Sequence, residues 1–168
     1  MRVGLFGGSF NPPHEGHAHV ARTALRRLGL DRVIWLVSPG NPLKGEPAPM
    51  ADRLAAVRKF ATGPKMIVSD VETRLGLRYT VDTVRALQER FPGVEFVWVM
   101  GSDNLSGLHR WKQWRRLIKL IPMVVIPRPG FTVRSAPARR SVKVLRLHAP
   151  LNDASSTALR ARASVTSS

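Results

Sequence analysis

The sequence contains no cysteine, which excludes disulfide scaffolds, thiolate zinc sites and cysteine nucleophiles. No apolar run approaches the roughly 18–20 residues needed to span a bilayer. The first residues, MRVGLF, pass directly into a Gly-rich turn, without the longer apolar region of a signal peptide. Neither a P-loop nor a G-x-G-x-x-G fingerprint is present, and there is no internal repeat or linker. Acidic residues are scarce, with 11 Asp and Glu against 27 Lys and Arg, a formal net charge of +16. What is there is 168 residues, 43% of them hydrophobic, enough for one core and one domain. The expectation is a soluble, cytoplasmic protein with a single domain over 1–168, its short polar end (about 161–168) disordered.

The charge is uneven. Residues 1–105 hold 14 Lys and Arg against 10 Asp and Glu, whereas residues 106–168 hold 13 against Asp153 alone. So basic a C-terminal third could be a nucleic-acid surface. However, Arg outnumbers Lys 21 to 6, as codon bias on solvated faces would give, and only Trp111 and Trp114 interleave aromatic rings with the charges. Nucleic acid is therefore the lesser reading of this third, and solvated basic faces the greater, while the +16 charge as a whole suits polyanionic partners.

Strand and helix signals alternate along the chain. Arg2–Phe6 reads as a buried strand, and Glu15–Leu28 as an amphipathic helix stopped by Gly29. Val33–Val37, Lys65–Ser69, Val94–Met100, Met123–Ile126 and Val142–Leu147 read as further strands. Met50–Phe60, Thr80–Arg90 and Trp111–Leu120 have helical period, and Ser155 or Ser156 caps a last helix. Strands apolar on both faces and alternating with helices predict an α/β fold: a doubly wound, mostly parallel sheet with helices on both faces.

Two segments carry the chemistry. GLFGGSFNPPHEGH (4–17) lies between the first strand and first helix, at the carboxyl end of the strand, where doubly wound sheets place ligands. Gly7 and Gly8 allow close backbone approach, Ser9 adds a hydroxyl, and Pro12 and Pro13 stiffen the entry to the helix. His14 and His17, three apart, project from one side of the first turn. That turn should offer unpaired N–H groups and the positive end of the helix dipole to a phosphate. A metal would need more ligands, and His19, His109 and His148 are not at helpful spacing, so no metal site is expected. SSTALR (155–160) would be a second helix N-terminus, with hydroxyls from Ser155, Ser156 and Thr157 and a charged fork from Arg160. Alone, it reads more readily as a plain helix cap with Arg160 on the surface.

Together, the H-x-G-H turn after the first strand and S-S-T-x-x-R near the end resemble the two-part signature of the nucleotidyltransferase superfamily related to class I aminoacyl-tRNA synthetases. Within it the chain most resembles the bacterial nicotinate mononucleotide adenylyltransferases. The order GSFNPPHEGH, SPGNPLK (38–44), YTVDT (79–83), FVWVMGSDNLSGLHRW (96–111), RPG (128–130) and SSTALR carries that resemblance over about residues 3–160.

The resemblance implies a Rossmann-like fold and a reaction of ATP, carrying Mg2+, with nicotinate mononucleotide to give nicotinate adenine dinucleotide and pyrophosphate, late in NAD synthesis. It implies that His14, His17 and Arg160 act in catalysis. Gly7, Ser9, Phe10, His17, Gly101, Asp103, Ser155, Ser156, Thr157 and Arg160 would bind ATP. Lys44 and Arg128 would take the mononucleotide phosphate, Trp111 would stack on the pyridine ring, and Thr80 with the Lys112 amide would hold its carboxylate. Trp114 is the expected packing residue of that helix. The expected partners are thus ATP and the mononucleotide, with no membrane, and a homo-oligomer among the options. The physical reading agrees, since a phosphate monoester is already an anionic nucleophile near pH 7 and needs positioning and charge stabilisation rather than a protein base.

Three features depart from the family pattern. Asn41, Pro42 and Leu43 stand where many relatives have Pro-Pro-His, Asn11 replaces the usual Asp, and the chain stops at Ser168. Three other readings stay open: a transferase of the same fold acting on nicotinamide mononucleotide or phosphopantetheine, a nucleic-acid-binding module, and an inactive homologue. Comparing acceptors under fixed ATP separates the first, and a steep salt dependence of binding the second.

Overall fold

The computed structural model describes residues 1–40 and 45–127, together with the backbone of 142–144. Six parallel strands form one sheet: β1 (Arg2–Gly8), β2 (Arg32–Val37), β3 (Met66–Ser69), β4 (Glu95–Gly101), β5 (Met123–Ile126) and β6 (Val142–Val144). Their spatial order is β3-β2-β1-β4-β5-β6. The chain thus winds outward from β1 through β3, then returns to lay β4 on the other side of β1. The helices are α1 (Glu15–Arg27), α2 (Met50–Phe60), the short α3 (Val71–Arg74), α4 (Thr80–Arg90), the short α5 (Ser102–Leu105) and α6 (Trp114–Leu120). The doubly wound parallel sheet expected from the sequence is the fold this chain adopts.

Strand alternation sorts the core into two layers. Phe6, Val33, Trp35, Val37, Val97, Val99, Val124 and Ile126 face one side, where α1 contributes Ala18, Val20, Ala21 and Ala24 and α2 contributes Val57. Leu5, Leu36, Phe96, Trp98, Met100, Met123 and Val125 face the other, against Val81, Val84 and Leu87 of α4 and Leu117 of α6. With both faces covered, the strands need no polar alternation, which is why they read as continuous apolar runs. At the end of α1, Gly29 adopts φ 58°, and the N–H groups of Gly29 and Leu30 donate to the carbonyls of Arg26 and Leu25. This left-handed cap ends the helix where the glycine predicted.

One helix differs from its sequence reading. The helical period from Trp111 is broken because Gln113 takes φ 52°, so α6 begins at Trp114, after a 3-10 turn at Leu108–Arg110. Trp111 is thereby freed from the helix and turns its ring edge-on to Trp98, with centroids 6.0 Å apart at 85°. Trp111 and Trp114 are both half-buried against the same core layer, so packing does not distinguish them as expected. The short helices α3 and α5 went unread, being too brief to leave a period.

Candidate active site

The order of strands reverses between β1 and β4, the switch point beside which doubly wound sheets bind ligands at the carboxyl ends of their strands. β1 ends at Gly7 and Gly8, and β4 at the buried Gly101. A Cβ on Gly7 would lie 2.7 Å from the Trp98 ring, so the indole passes directly beneath the strand end. From Gly7 the packing continues through Trp98 to Trp111.

The loop after β1 is tightly held. Phe10 is buried with φ 46°, a left-handed conformation uncommon for a bulky side chain. Its ring compensates by packing on Phe6 (5.4 Å between centroids), Trp35 (5.3 Å) and His17 (5.0 Å). Asn11 and Pro12 are joined by a cis peptide, and the Asn11 Oδ1 accepts the Ala48 N–H at 3.2 Å.

His14 is the N-cap of α1, and it forms a reciprocal cap with His17. The Gly16 N–H donates to His14 Nδ1 at 3.1 Å, and the His14 N–H donates to His17 Nδ1 at 3.1 Å. The His17 and Ala18 N–H groups turn to the His14 carbonyl at 3.0 and 3.4 Å. These backbone donors are therefore satisfied internally, where the sequence led us to expect open N–H groups. What the helix end presents to an anion is instead its dipole and two imidazoles. The rings stack with centroids 3.8 Å apart. Because each Nδ1 accepts, each neutral ring carries its proton on Nε2, the atom farthest from the cap.

On the face of the sheet that α4 covers, Thr80 is the half-buried first residue of that helix. Its neighbour Tyr79 is 44% exposed, and the exposed Lys112 lays its ammonium over the Tyr79 ring, 4.1 Å from the centroid. Thr80, Trp111 and Lys112 are thus drawn to one region, with Trp111 reaching back through Trp98 to Gly7. Asp103 is exposed on α5, immediately past the end of β4. Lys44, Arg128, Ser155, Ser156, Thr157 and Arg160 lie outside the described residues.

Sequence reasoning missed four contributors. Trp98 and Tyr79 are one residue type among many in their motifs and gave no signal. Arg53 is only 4% exposed and donates to backbone carbonyls of the loops after β1 and β2. A trace was present: Arg53 falls on the same helical stripe as Met50, Leu54 and Val57, an apolar face where a charge is out of place. Glu72 is buried behind α4 and accepts a hydrogen bond from the Thr83 hydroxyl at 2.8 Å. Its burial raises the carboxyl above the ordinary carboxylate value, against the lowering effect of that bond. Among the described residues, no group of three or more His, Cys, Asp or Glu side chains is placed to hold a metal ion.

Comparisons with known proteins give the chain its family. Residues 5–162 match the cytidylyltransferase-like family model, and the chain belongs to the cytidylyltransferase-like family. Its relatives narrow the group. A protein of Caulobacter sp. (strain K31) named "Probable nicotinate-nucleotide adenylyltransferase" is 54% identical, over 96% of this chain and 98% of its own. One of the same name from Methylorubrum extorquens (strain PA1) is 48% identical, over 96% of this chain and 100% of its own. In structure, the Plasmodium falciparum nicotinic acid mononucleotide adenylyltransferase complexed with NaAD is similar with a TM-score of 0.73 at 16% identity. It covers 86% of this chain and 73% of its own, a likeness of fold.

Proposed function

We infer that this chain is an enzyme that transfers the adenylyl group of ATP to nicotinate mononucleotide, releasing pyrophosphate and forming nicotinate adenine dinucleotide for NAD biosynthesis. The observation that carries this reading is the stacked pair His14 and His17 at the N-terminus of α1, directly after β1 at the switch point of the sheet. Gly7 at the end of β1 lies over Trp98, whose ring meets Trp111, and Lys112 lies over Tyr79 beside Thr80, which supports a second substrate on that side. Relatives at about half identity bear the name of that activity.

ATP enters with Mg2+ on its phosphates, as substrate. His17 directs Nε2–H to the phosphates while its Nδ1 stays committed to the cap, so the ring is held in orientation before ATP arrives. His14 stands beside it. Gly7, Ser9 and Phe10 line the approach, Gly101 and Asp103 serve the adenosine, and Ser155, Ser156, Thr157 and Arg160 hold the triphosphate from the opposite side. The mononucleotide phosphate, held by Lys44 and Arg128, attacks the α-phosphorus in line, and pyrophosphate leaves. No protein nucleophile is required. The enzyme works in the cytoplasm.

Nicotinate and nicotinamide mononucleotides have nearly the same shape, so polarity must sort them. Donors converging on a carboxylate from Thr80 and the Lys112 amide would be mispaired by an amide, at a cost of about 1–3 kcal/mol per group. Two such mismatches give a preference for the acid of roughly 10²-fold or more. Thr80→Val should erode that preference, whereas Trp111→Ala should weaken both acceptors. The test is kcat/KM for pyrophosphate release with each mononucleotide; equal use of acid and amide by the wild type would sink the nicotinate assignment.

A further inference from the structure

Arg53 is a buried cation whose bonds are all to the backbone. From α2 its Nε–H donates to the Ala48 carbonyl at 2.8 Å. One terminal nitrogen donates to the Ser9 carbonyl at 3.0 Å and the Ser38 carbonyl at 2.7 Å, and the other reaches the Pro39 carbonyl at 3.5 Å. Ser9 follows β1, Ser38 and Pro39 follow β2, and Ala48 precedes α2. None of the three ion pairs among the described residues includes Arg53; within that set, carbonyl oxygens meet its charge. Burial lowers the guanidinium's pKa from its ordinary value.

The position of these carbonyls matters more than their number. In a trans peptide the C=O and the following N–H point in opposite directions. Fixing the Ser9 carbonyl on Arg53 therefore turns the Phe10 N–H away from the guanidinium and helps hold Phe10 in its left-handed conformation. Two further bonds join the same loops: the Ser38 N–H donates to Gly8 O at 2.9 Å, and the Ala48 N–H donates to Asn11 Oδ1 at 3.2 Å. Phe10 packs on His17, so the clasp reaches the imidazole through one ring contact.

We propose that Arg53 is a positioning residue for the adenylyl-transfer site: its guanidinium clasps the loops after β1 and β2 into one unit and so sets the Phe10 amide and the His17 ring for ATP. The proposal rests on the reading that the loop after β1 receives ATP. A lysine keeps the charge and can set its one nitrogen between the Ser9 and Ser38 carbonyls, but it loses the Nε–H bond to Ala48 and the second terminal nitrogen at Pro39, so it holds the two loops less rigidly than the planar fork.

The test compares Arg53→Met and Arg53→Lys with wild type in the full chain, well below each melting temperature. Three quantities are read: kcat and KM for ATP with nicotinate mononucleotide, calorimetric affinity for a non-hydrolysable ATP analogue, and amide hydrogen exchange across residues 9–17. Folded Arg53→Met should lose about tenfold or more in kcat/KM for ATP, since misplacements of about 1 Å carry costs of up to 10²-fold. It should also bind the analogue more weakly and exchange faster at 9–17, with Arg53→Lys intermediate in each. A folded variant with kinetics, affinity and exchange within twofold of wild type overturns the proposal, leaving Arg53 a stabilising residue only. If Arg53→Met does not fold, Arg53→Lys carries the same thresholds. A wild type that binds the analogue yet transfers nothing to the mononucleotide would refute the proposed function, while affinity and exchange would still judge Arg53.

Discussion

Gly7 offers the sharpest link between packing and substrate binding. A Cβ there would stand 2.7 Å from Trp98 Cη2 and 2.9 Å from Cζ2. Ordinary carbon contacts are about 3.5–4.0 Å, so Gly7→Ala drives a methyl about 1 Å into the indole. The φ at Gly7 is not in the left-handed region, so the effect is steric. Trp98 is 2% exposed and cannot swing into solvent. Overpacking of this kind costs about 1–3 kcal/mol, a fall of about 3–10 °C in Tm for a chain of this size. The ring can yield only by disturbing its neighbours, and Trp111 stands edge-on to it. Gly7→Ala should therefore raise KM for the mononucleotide more than KM for ATP. Gly8→Ala, whose Cβ would meet the Phe10 ring at 3.2 Å, should cost less stability. The decisive measurement is a double-mutant cycle with Trp98→Phe, which removes the clashing ring atoms. The two changes should be coupled favourably by more than about 0.5 kcal/mol. Additive losses, or a Gly7→Ala protein with wild-type Tm, would refute the reasoning.

Other outcomes follow from the same geometry. His17→Ala should lower turnover by at least ~10²-fold while ATP affinity falls less, because the helix dipole and the other groups proposed to hold the triphosphate remain; steady-state rates within threefold of wild type would remove His17 from its role. Arg160→Lys should reduce kcat/KM although charge is kept, because a two-pronged grip on phosphate is lost; unchanged kinetics would return Arg160 to the surface. Glu72 has a folded pKa above the ordinary carboxylate value, so its contribution to stability is present below that value and lost as pH rises through the folded one. Glu72→Gln keeps an oxygen for the Thr83 hydroxyl, so it should melt above wild type at neutral pH, with the advantage vanishing below about pH 4. An offset independent of pH would show that its ionisation is not what matters.

The architecture was legible because burial on both faces of a parallel sheet leaves long apolar strands, and Gly29 and the cap at His14 punctuate α1 where local chemistry demands. The clustering of His14, His17, Gly7 and Phe10 was equally legible, being contiguous in sequence. Tertiary contacts were not. Nothing local announces that Arg53 reaches Ser9, 44 positions away, or that Trp98 fills the space that Gly7 leaves. The reciprocal cap escaped notice because histidine is not among the usual capping residues, and the accepting Nδ1 atoms become evident only from the backbone path. The helix at Trp111 was misread because a single left-handed residue, Gln113, leaves the apolar period intact while breaking the backbone.

The sheet order also dictates when the switch point between β1 and β4 can form during folding. β1 pairs with β2 through Val3 and Arg32, close in sequence, but with β4 through Arg2 and Glu95, at the far end of the described helices and loops between them. Tripling the loop to be closed adds only about 1 kcal/mol of chain entropy, so the penalty for stability is slight. For kinetics it is larger, because non-local parallel pairing is slow to be rewarded. Residues 1–69 hold β1, β2 and β3 with α1 and α2, and so every partner of the Arg53 clasp and the histidine pair. The layer that seats α1, however, also draws on Val97 and Val99 of β4 and Val124 and Ile126 of β5. A chain emerging during synthesis would thus have the clasp within reach early, but the helix that presents the two histidines would gain its full seat only when β4 docked beside β1.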